Sequence, residues 1–270
     1  MTSAQPTTYT VEATNISHAS ENKIHDDEVA RKLGFAGGLV PGVEVYAYAT
    51  HPVVARWGRA WLERGTLEAR FLKPLYDGRA ANVAAAEHAD GGLALTLASD
   101  GVLCATGHAR VDHPATPPSI ADYQERPSPV VRPPAGEASL AAGTWLSVAP
   151  SVLTAQRAND YLRDIRERHD LYAREGVAHP GLLLRLCNQA LRDNVLLAPW
   201  IHTGSRVQNF ALARIGDDLS ARARVARNYE RKGHRLVDLD VILIANGGTV
   251  LAHVLHTAVY RLRQLAEAGA

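Results

Sequence analysis

Apolar and polar residues alternate through residues 7–16, the period of a half-buried strand. The period then lengthens. Residues 26–33 read as a short helix ending at Gly34, and a glycine-rich loop leads on to Pro41-Gly42. A second helix opens there and carries Val43, Val45, Tyr46, Ala47 and Ala49; Pro52 is expected to kink it or end its first part. Strand-like runs follow at 66–72, 80–88, 93–99 and 102–111. Asp77-Gly78, Gly91-Gly92 and Asp100-Gly101 separate them, as in antiparallel hairpins.

The same order of elements recurs further on. A strand at 144–148 precedes a helix expected over 155–174, and a loop leads to Pro180-Gly181. Leu182, Leu183, Leu184, Leu186, Cys187, Ala190 and Leu191 then form a helix that is apolar nearly all round, so it is expected to be buried on most sides. Strands are predicted at 206–214, 219–229, 235–244 and 250–260, with a hairpin turn at Asn246-Gly247-Gly248.

Between the halves, seven of the chain's 14 prolines fall from Pro114 to Pro134. Such a run suits neither a central strand nor a continuous helix. Residues 112–143 therefore read as an extended linker lying over the surface. Leu39-Val40-Pro41-Gly42 answers to Val177-Ala178-His179-Pro180-Gly181, and residues 70–78 answer more loosely to 209–217. This doubling predicts two copies of one α+β unit, 1–111 and 144–270. Each holds one helix in a strongly curved antiparallel sheet, and the two side by side make one continuous sheet.

Composition narrows the chemistry. The chain has 270 residues, 46% of them hydrophobic, enough for a substantial core. Lys+Arg number 29 and Asp+Glu 28, and this balance gives no field for nucleic acid or an anionic membrane. Residues 1–10 have no basic start and no apolar run, so no signal peptide is expected. The best apolar run, 237–244, is broken by Asp238 and Asp240, so no bilayer span is expected either. Cys104 and Cys187 sit in apolar segments and read as free core residues of a cytoplasmic protein. Nucleotide-binding glycine motifs and the nucleophile-elbow motif are missing. His253 and His256 stand three apart on a strand, hence on opposite faces, and make a poor metal pair. No metal or other cofactor is expected.

The stretch 20–42 carries the most chemistry. It sets a polar turn (Ser20, Glu21, Asn22) and His25 ahead of a helix end, where unpaired N–H groups and partial positive charge gather. A histidine there suits acid–base work, since its ordinary pKa lies near neutrality; the plainer role is capping. Asn22 either orients His25 or forms the turn. Ser20 can hydrogen-bond water but cannot accept a proton at neutral pH. Glu21 supplies a carboxylate only if the turn is rearranged. Asp26 and Asp27 are placed to cap the short helix.

These residues resemble the hydratase motif of the MaoC-like enoyl-CoA hydratases and acyl dehydratases. That motif runs Gly-Asp-x-Asn-Pro-Ile/Leu-His, then an acidic helix start, Gly-Phe, and a loop ending at a glycine. Here Ala19-Ser20-Glu21-Asn22-Lys23-Ile24-His25 occupies its place, followed by Asp26-Asp27, Gly34-Phe35 and Gly42. The family's catalytic Asp falls on Ser20 and the motif proline on Lys23; of the Asp–His couple only His25 stands at its place.

The resemblance implies a double hot-dog fold and reversible addition of water to an enoyl thioester, carried by coenzyme A or an acyl-carrier protein. It makes His25, Asn22 and Ser20 the catalytic group. Val40, Gly42, Val43 and Tyr46 become substrate-binding residues, with helix-end N–H groups facing the thioester oxygen and Tyr46 lining the acyl pocket. The second half, with His179 before its helix, reads as degenerate. Arg222 and Arg224 alternate with Ala221, Ala223 and Val225, giving a solvated sheet face or a dock for a phosphate. A homodimer is the expected assembly. Two alternatives stay open: a lyase or isomerase acting on a substrate other than a coenzyme A ester, and an acyl-binding protein without chemistry.

Overall fold

The alternating segments become strands of one sheet. The computed structural model describes residues 6–264, so the first five residues of the 1–10 segment lie outside the described residues. In the first half, β1 (Thr7–Glu12) is followed by a 3₁₀ turn (Lys23–His25), α1 (Asp27–Lys32), α2 (Gly42–Trp57) and α3 (Arg59–Arg64). Then come β2 (Gly65–Phe71), β3 (Ala80–Glu87), β4 (Leu93–Ser99) and β5 (Val102–Val111). The second half has β6 (Trp145–Val152), α4 (Ala155–Asp164), α5 (Leu171–Glu175) and α6 (Pro180–Arg192). It ends with β7 (Ile201–Asn209), β8 (Asp218–Arg231), β9 (His234–Ala245) and β10 (Thr249–Arg261).

The sheet has ten strands in the order β1-β3-β4-β5-β2-β7-β10-β9-β8-β6. The order of the second five mirrors that of the first. The halves join through antiparallel pairing of β2 with β7, for example Leu67 opposite Val207. Side chains on the concave face, such as Val11, Val83, Leu95, Ala221 and Val254, are buried against α2 and α6 in one shared core. Sealing this face removes a large apolar area from water, worth ~25 cal/mol per Å².

The repeat is visible in the backbone. Leu39 bridges Tyr76 as Val177 bridges Arg214. The Val40 N–H donates to the Leu75 carbonyl as the Ala178 N–H donates to that of Ala213. These pairs fix an offset of 138 residues (39 to 177, 76 to 214). Two expected matches shift by one: Gly42 answers to Pro180, and Gly78 to Gly216.

Three further expectations are corrected. Pro52 does not end α2, which runs on to Trp57, with Gly58 at φ 53 turning the chain. The helix expected over 155–174 is two helices, because Arg166 has a φ of 57 and Glu167 turns inward to accept the N–H groups of Arg168 and His169. β7 starts at Ile201 and ends at Asn209, earlier than the sequence run implied.

The Pro-rich segment lies on the outer face of the second half. Tyr123, Ile242, Ile244 and Val250 form a small outer cluster, which explains why β9 is apolar on both faces near its end. Arg222 donates to the Tyr123 carbonyl and pairs with Glu125, and Arg224 lies 3.6 Å from Asp240. The linker thus covers much of Arg222, while the Arg224 side chain stays 49% exposed on a solvated face.

Candidate active site

The turn holding His25 is fixed from several sides. Asn22 Oδ1 accepts the Ile24 N–H at 3.4 Å and the Trp200 N–H at 3.1 Å. Its Nδ2 donates to the Trp200 carbonyl at 3.0 Å and reaches His25 Nε2 at 3.2 Å. His25 Nδ1 lies 2.7 Å from the Leu39 carbonyl oxygen. A carbonyl can only accept, so Nδ1 carries the proton and Nε2 keeps its lone pair. Asn15, 1% exposed, donates to the His25 carbonyl at 2.8 Å. Gly38 passes so close that a Cβ there would collide with the same oxygen.

The ring is 8% exposed. Burial pulls its pKa down to about 4; the Leu39 carbonyl opposes that fall, and Arg185 and His18 add to it. At neutral pH His25 is therefore uncharged, with a lone pair held in one direction, which is the form a general base requires.

Helix α2 begins beside this ring. Pro41 precedes it and no side chain caps it. The Glu44 and Val45 N–H groups close onto the Pro41 carbonyl at 2.9 and 3.1 Å. Those of Gly42 and Val43 come ahead of the first intrahelical bonds and have no partner among the described residues. Gly42 packs tightly on β7: a Cβ would sit 2.8 Å from His202 Nδ1 and 3.1 Å from the His202 carbonyl. Behind it lies a buried row in which Ser205 Oγ is 2.9 Å from His202 Nε2 and 2.9 Å from His256 Nδ1. Burial lowers both imidazole pKa values, that of His256 to about 3. Neither His202 Nδ1 nor His256 Nε2 has a hydrogen-bond partner among the described residues.

Two cavities meet at His25. One, of about 630 Å³, is lined by polar groups including Ser20, Arg157, Tyr161 and Arg185, with Val43 at the helix end. The other, of about 380 Å³, is lined mainly by apolar side chains such as Phe35, Leu39, Val40, Phe71 and Leu75, with Gly42 and His202. Asn22, His25, Pro41, Asn188 and Trp200 line both.

The polar cavity mixes charges, with Arg157, Arg185 and Arg192 lining it together with Glu21, Asp160 and Asp164. Arg185 Nε donates to Glu44 Oε1 at 2.7 Å, although the Glu44 side chain is fully buried. A second Arg185 nitrogen donates to Ser17 Oγ at 3.1 Å. Arg157 donates to Ser151 Oγ at 3.2 Å and meets no carboxylate among the described residues. Burial and the neighbouring Arg185 lower its pKa. A half-buried guanidinium without a counter-ion favours an anionic ligand group.

The corresponding helix end in the second half is closed. His179 Nδ1 accepts the Gly181 N–H at 3.0 Å, and a Cβ at Gly181 would collide with the Tyr161 hydroxyl. Glu167 lies 2.6 Å from His51 Nδ1 and 3.4 Å from His179 Nε2. Burial pushes the Glu167 carboxyl up, but hydrogen bonds from the two histidines outweigh it and hold the group well below its usual range. Tyr9 stacks on His51 with ring centres 3.7 Å apart. The place of His25, counted by the repeat, falls on Arg163, whose side chain is exposed on α4.

His25 and Asn22 line both cavities, Ser20 and Val43 the polar one, and Val40 and Gly42 the apolar one. The Ser20 hydroxyl donates to the Asn22 carbonyl at 3.3 Å. Glu21 also lines the polar cavity, but its carboxylate is held by the linker, with Arg132 2.8 Å away. Tyr46 is a correction: it is 1% exposed, lines neither cavity, and belongs to the core. Trp200, Arg157, Tyr161 and Arg185 were not anticipated. One signal was available: Glu44 and Arg185 each interrupt an apolar helix, and two charges so placed need each other.

No protein-family profile matches the sequence, and no curated protein matches it. Solved structures do match in fold. A protein described as a MaoC domain dehydratase from Chloroflexus aurantiacus superposes with a TM-score of 0.65 at 11% identity, covering 96% of each chain. A Mycobacterium tuberculosis protein with a double hotdog fold gives 0.61 at 14% identity, covering 95% of this chain and 96% of that one. A MaoC-like dehydratase gives 0.60 at 13% identity, covering 94% and 98%. With the mirrored strand order and one central helix in each half, these matches show that the chain has the double hot-dog fold over nearly its whole length.

Proposed function

We propose that this protein is a hydro-lyase that adds water to an enoyl thioester, or removes it from a 3-hydroxyacyl thioester. The observation that carries the reading is His25: neutral, locked in one tautomer, and placed where both cavities meet beside an uncapped helix end. In hydration, His25 Nε2 takes a proton from water while the oxygen bonds to the β-carbon. The electron pair moves through the α-carbon to the thioester oxygen, which the Gly42 and Val43 N–H groups stabilise. The proton on Nε2 then passes to the α-carbon, restoring the neutral ring. Asn22 holds the ring's position and yields Nε2 to the reacting water. The apolar cavity suits the acyl chain and the polar one the carrier arm, coenzyme A or acyl-carrier protein.

A second reading, acyl binding without turnover, is favoured by one fact: no carboxylate contacts His25 among the described residues. Absorbance assays with crotonyl-CoA and longer enoyl-CoAs decide between them. The first reading expects turnover that His25→Ala lowers by ~10²–10⁴-fold. Binding without turnover sinks it in favour of the second, and neither binding nor turnover sinks both. A cytoplasmic location and a homodimer built through edge strand β1 or β6 belong to the same proposal; sedimentation of the purified protein tests the dimer.

A further inference from the structure

The turn from β3 to β4 gathers a set of donors that the cleft does not use. His88 and Asp90 lie on this turn, and His108 projects from the outer face of β5, two strands away. His88 Nδ1 is 2.8 Å from Asp90 Oδ1, and His108 Nε2 is 3.1 Å from Asp90 Oδ2. The three donor atoms all lie within 4.8 Å of one another. In a tetrahedral site with bonds of about 2.0–2.1 Å, ligand atoms stand roughly 3.3 Å apart. Small side-chain rotations therefore bring the three onto one ion.

Two local features support that arrangement. Asp90 is anchored, since its Oδ1 also accepts the Gly92 N–H at 2.9 Å. Gly92 has no left-handed φ, so backbone conformation does not demand glycine there. A Cβ at Gly92 would instead sit 2.7 Å from the Ala109 carbonyl oxygen, 2.7 Å from Arg110 Cγ and 2.9 Å from His108 Nε2. The glycine leaves the space in which the imidazole meets the carboxylate. The side chains of His88, Asp90 and His108 are 50%, 34% and 35% exposed, so water can complete the coordination.

The geometry points to a divalent transition-metal site formed by His88, Asp90 and His108, with zinc as its best-suited occupant. Two imidazoles and one carboxylate select zinc and its late first-row neighbours over magnesium or calcium, which take oxygen donors. Arg110 opposes a cation there, 3.6 Å from Asp90 Oδ2. It also pairs with Asp112 at 3.0 Å and can stay with that partner when a metal takes Asp90.

The test is calorimetric titration of the metal-stripped full-length protein with zinc chloride near pH 7.5, independent of any hydratase activity. The site expects one equivalent bound, more than ten-fold weaker binding in His88→Ala and in His108→Ala, and tighter binding in Arg110→Gln. Excess magnesium should not compete. Because the residues are exposed, the variants should keep the wild-type circular dichroism spectrum, which is checked alongside. No saturable binding, or affinity unchanged in both histidine variants, overturns the proposal.

Discussion

Acidification should destabilise this protein through His25 by an amount that follows from its burial. A histidine in the unfolded chain titrates near 6.5, whereas burial sets the folded value at about 4. Above pH ~6.5 neither state binds the proton and the full stability is present. As pH falls, the unfolded chain is protonated first, so stability is lost progressively down to the folded value. The gap of roughly 2.5 pH units corresponds to ~3 kcal/mol, of which ~2 kcal/mol is lost by pH 5. Urea unfolding of the wild type and His25→Gln at pH 7 and pH 5 isolates this contribution. His202 and His256 remain in both proteins and cancel in the comparison. The wild type should lose ~2 kcal/mol more than the variant between the two pH values. Proton NMR of the His25 ring should show a midpoint near 4. A midpoint near 6.5, or equal losses in the two proteins, would refute the burial argument.

Three other outcomes follow from named contacts. Asn22→Ala removes the bond to the Ile24 N–H and both bonds to Trp200; urea unfolding should show a loss of ~1–2 kcal/mol. Gly42→Ala drives a methyl group against His202, so thermal unfolding should reveal a cost of ~1–3 kcal/mol, with weaker binding of enoyl-CoA. Arg185→Met strands the fully buried Glu44 carboxylate and should cost ~3–5 kcal/mol, while adding Glu44→Leu to it should restore most of that stability. A double variant no more stable than the single one would count against the buried pair.

The sequence by itself determined the double unit and singled out the stretch that forms the candidate site. Strand alternation, two apolar helices and matched Pro-Gly corners are local signals, because side-chain periodicity and turn residues act over a few positions. They located His25, Asn22 and the start of α2, which lie close together along the chain. What only the tertiary structure decided lies far apart in sequence. Trp200 grips Asn22 from 178 residues away, and Arg185 pairs with Glu44 across 141. The sequence marked the second half as degenerate; the structure adds that its helix end is closed by His179 and, from another helix, by Tyr161. Tyr46 shows the converse. Its place one turn into α2 suggested a pocket wall, yet packing turned it into the core. The meeting of His88, Asp90 and His108 also needed the sheet, since pairing through β4 is what sets the β3–β4 turn beside β5. Local periodicity fixes which face a side chain takes; only the closing of ten strands around two helices fixes what stands opposite it.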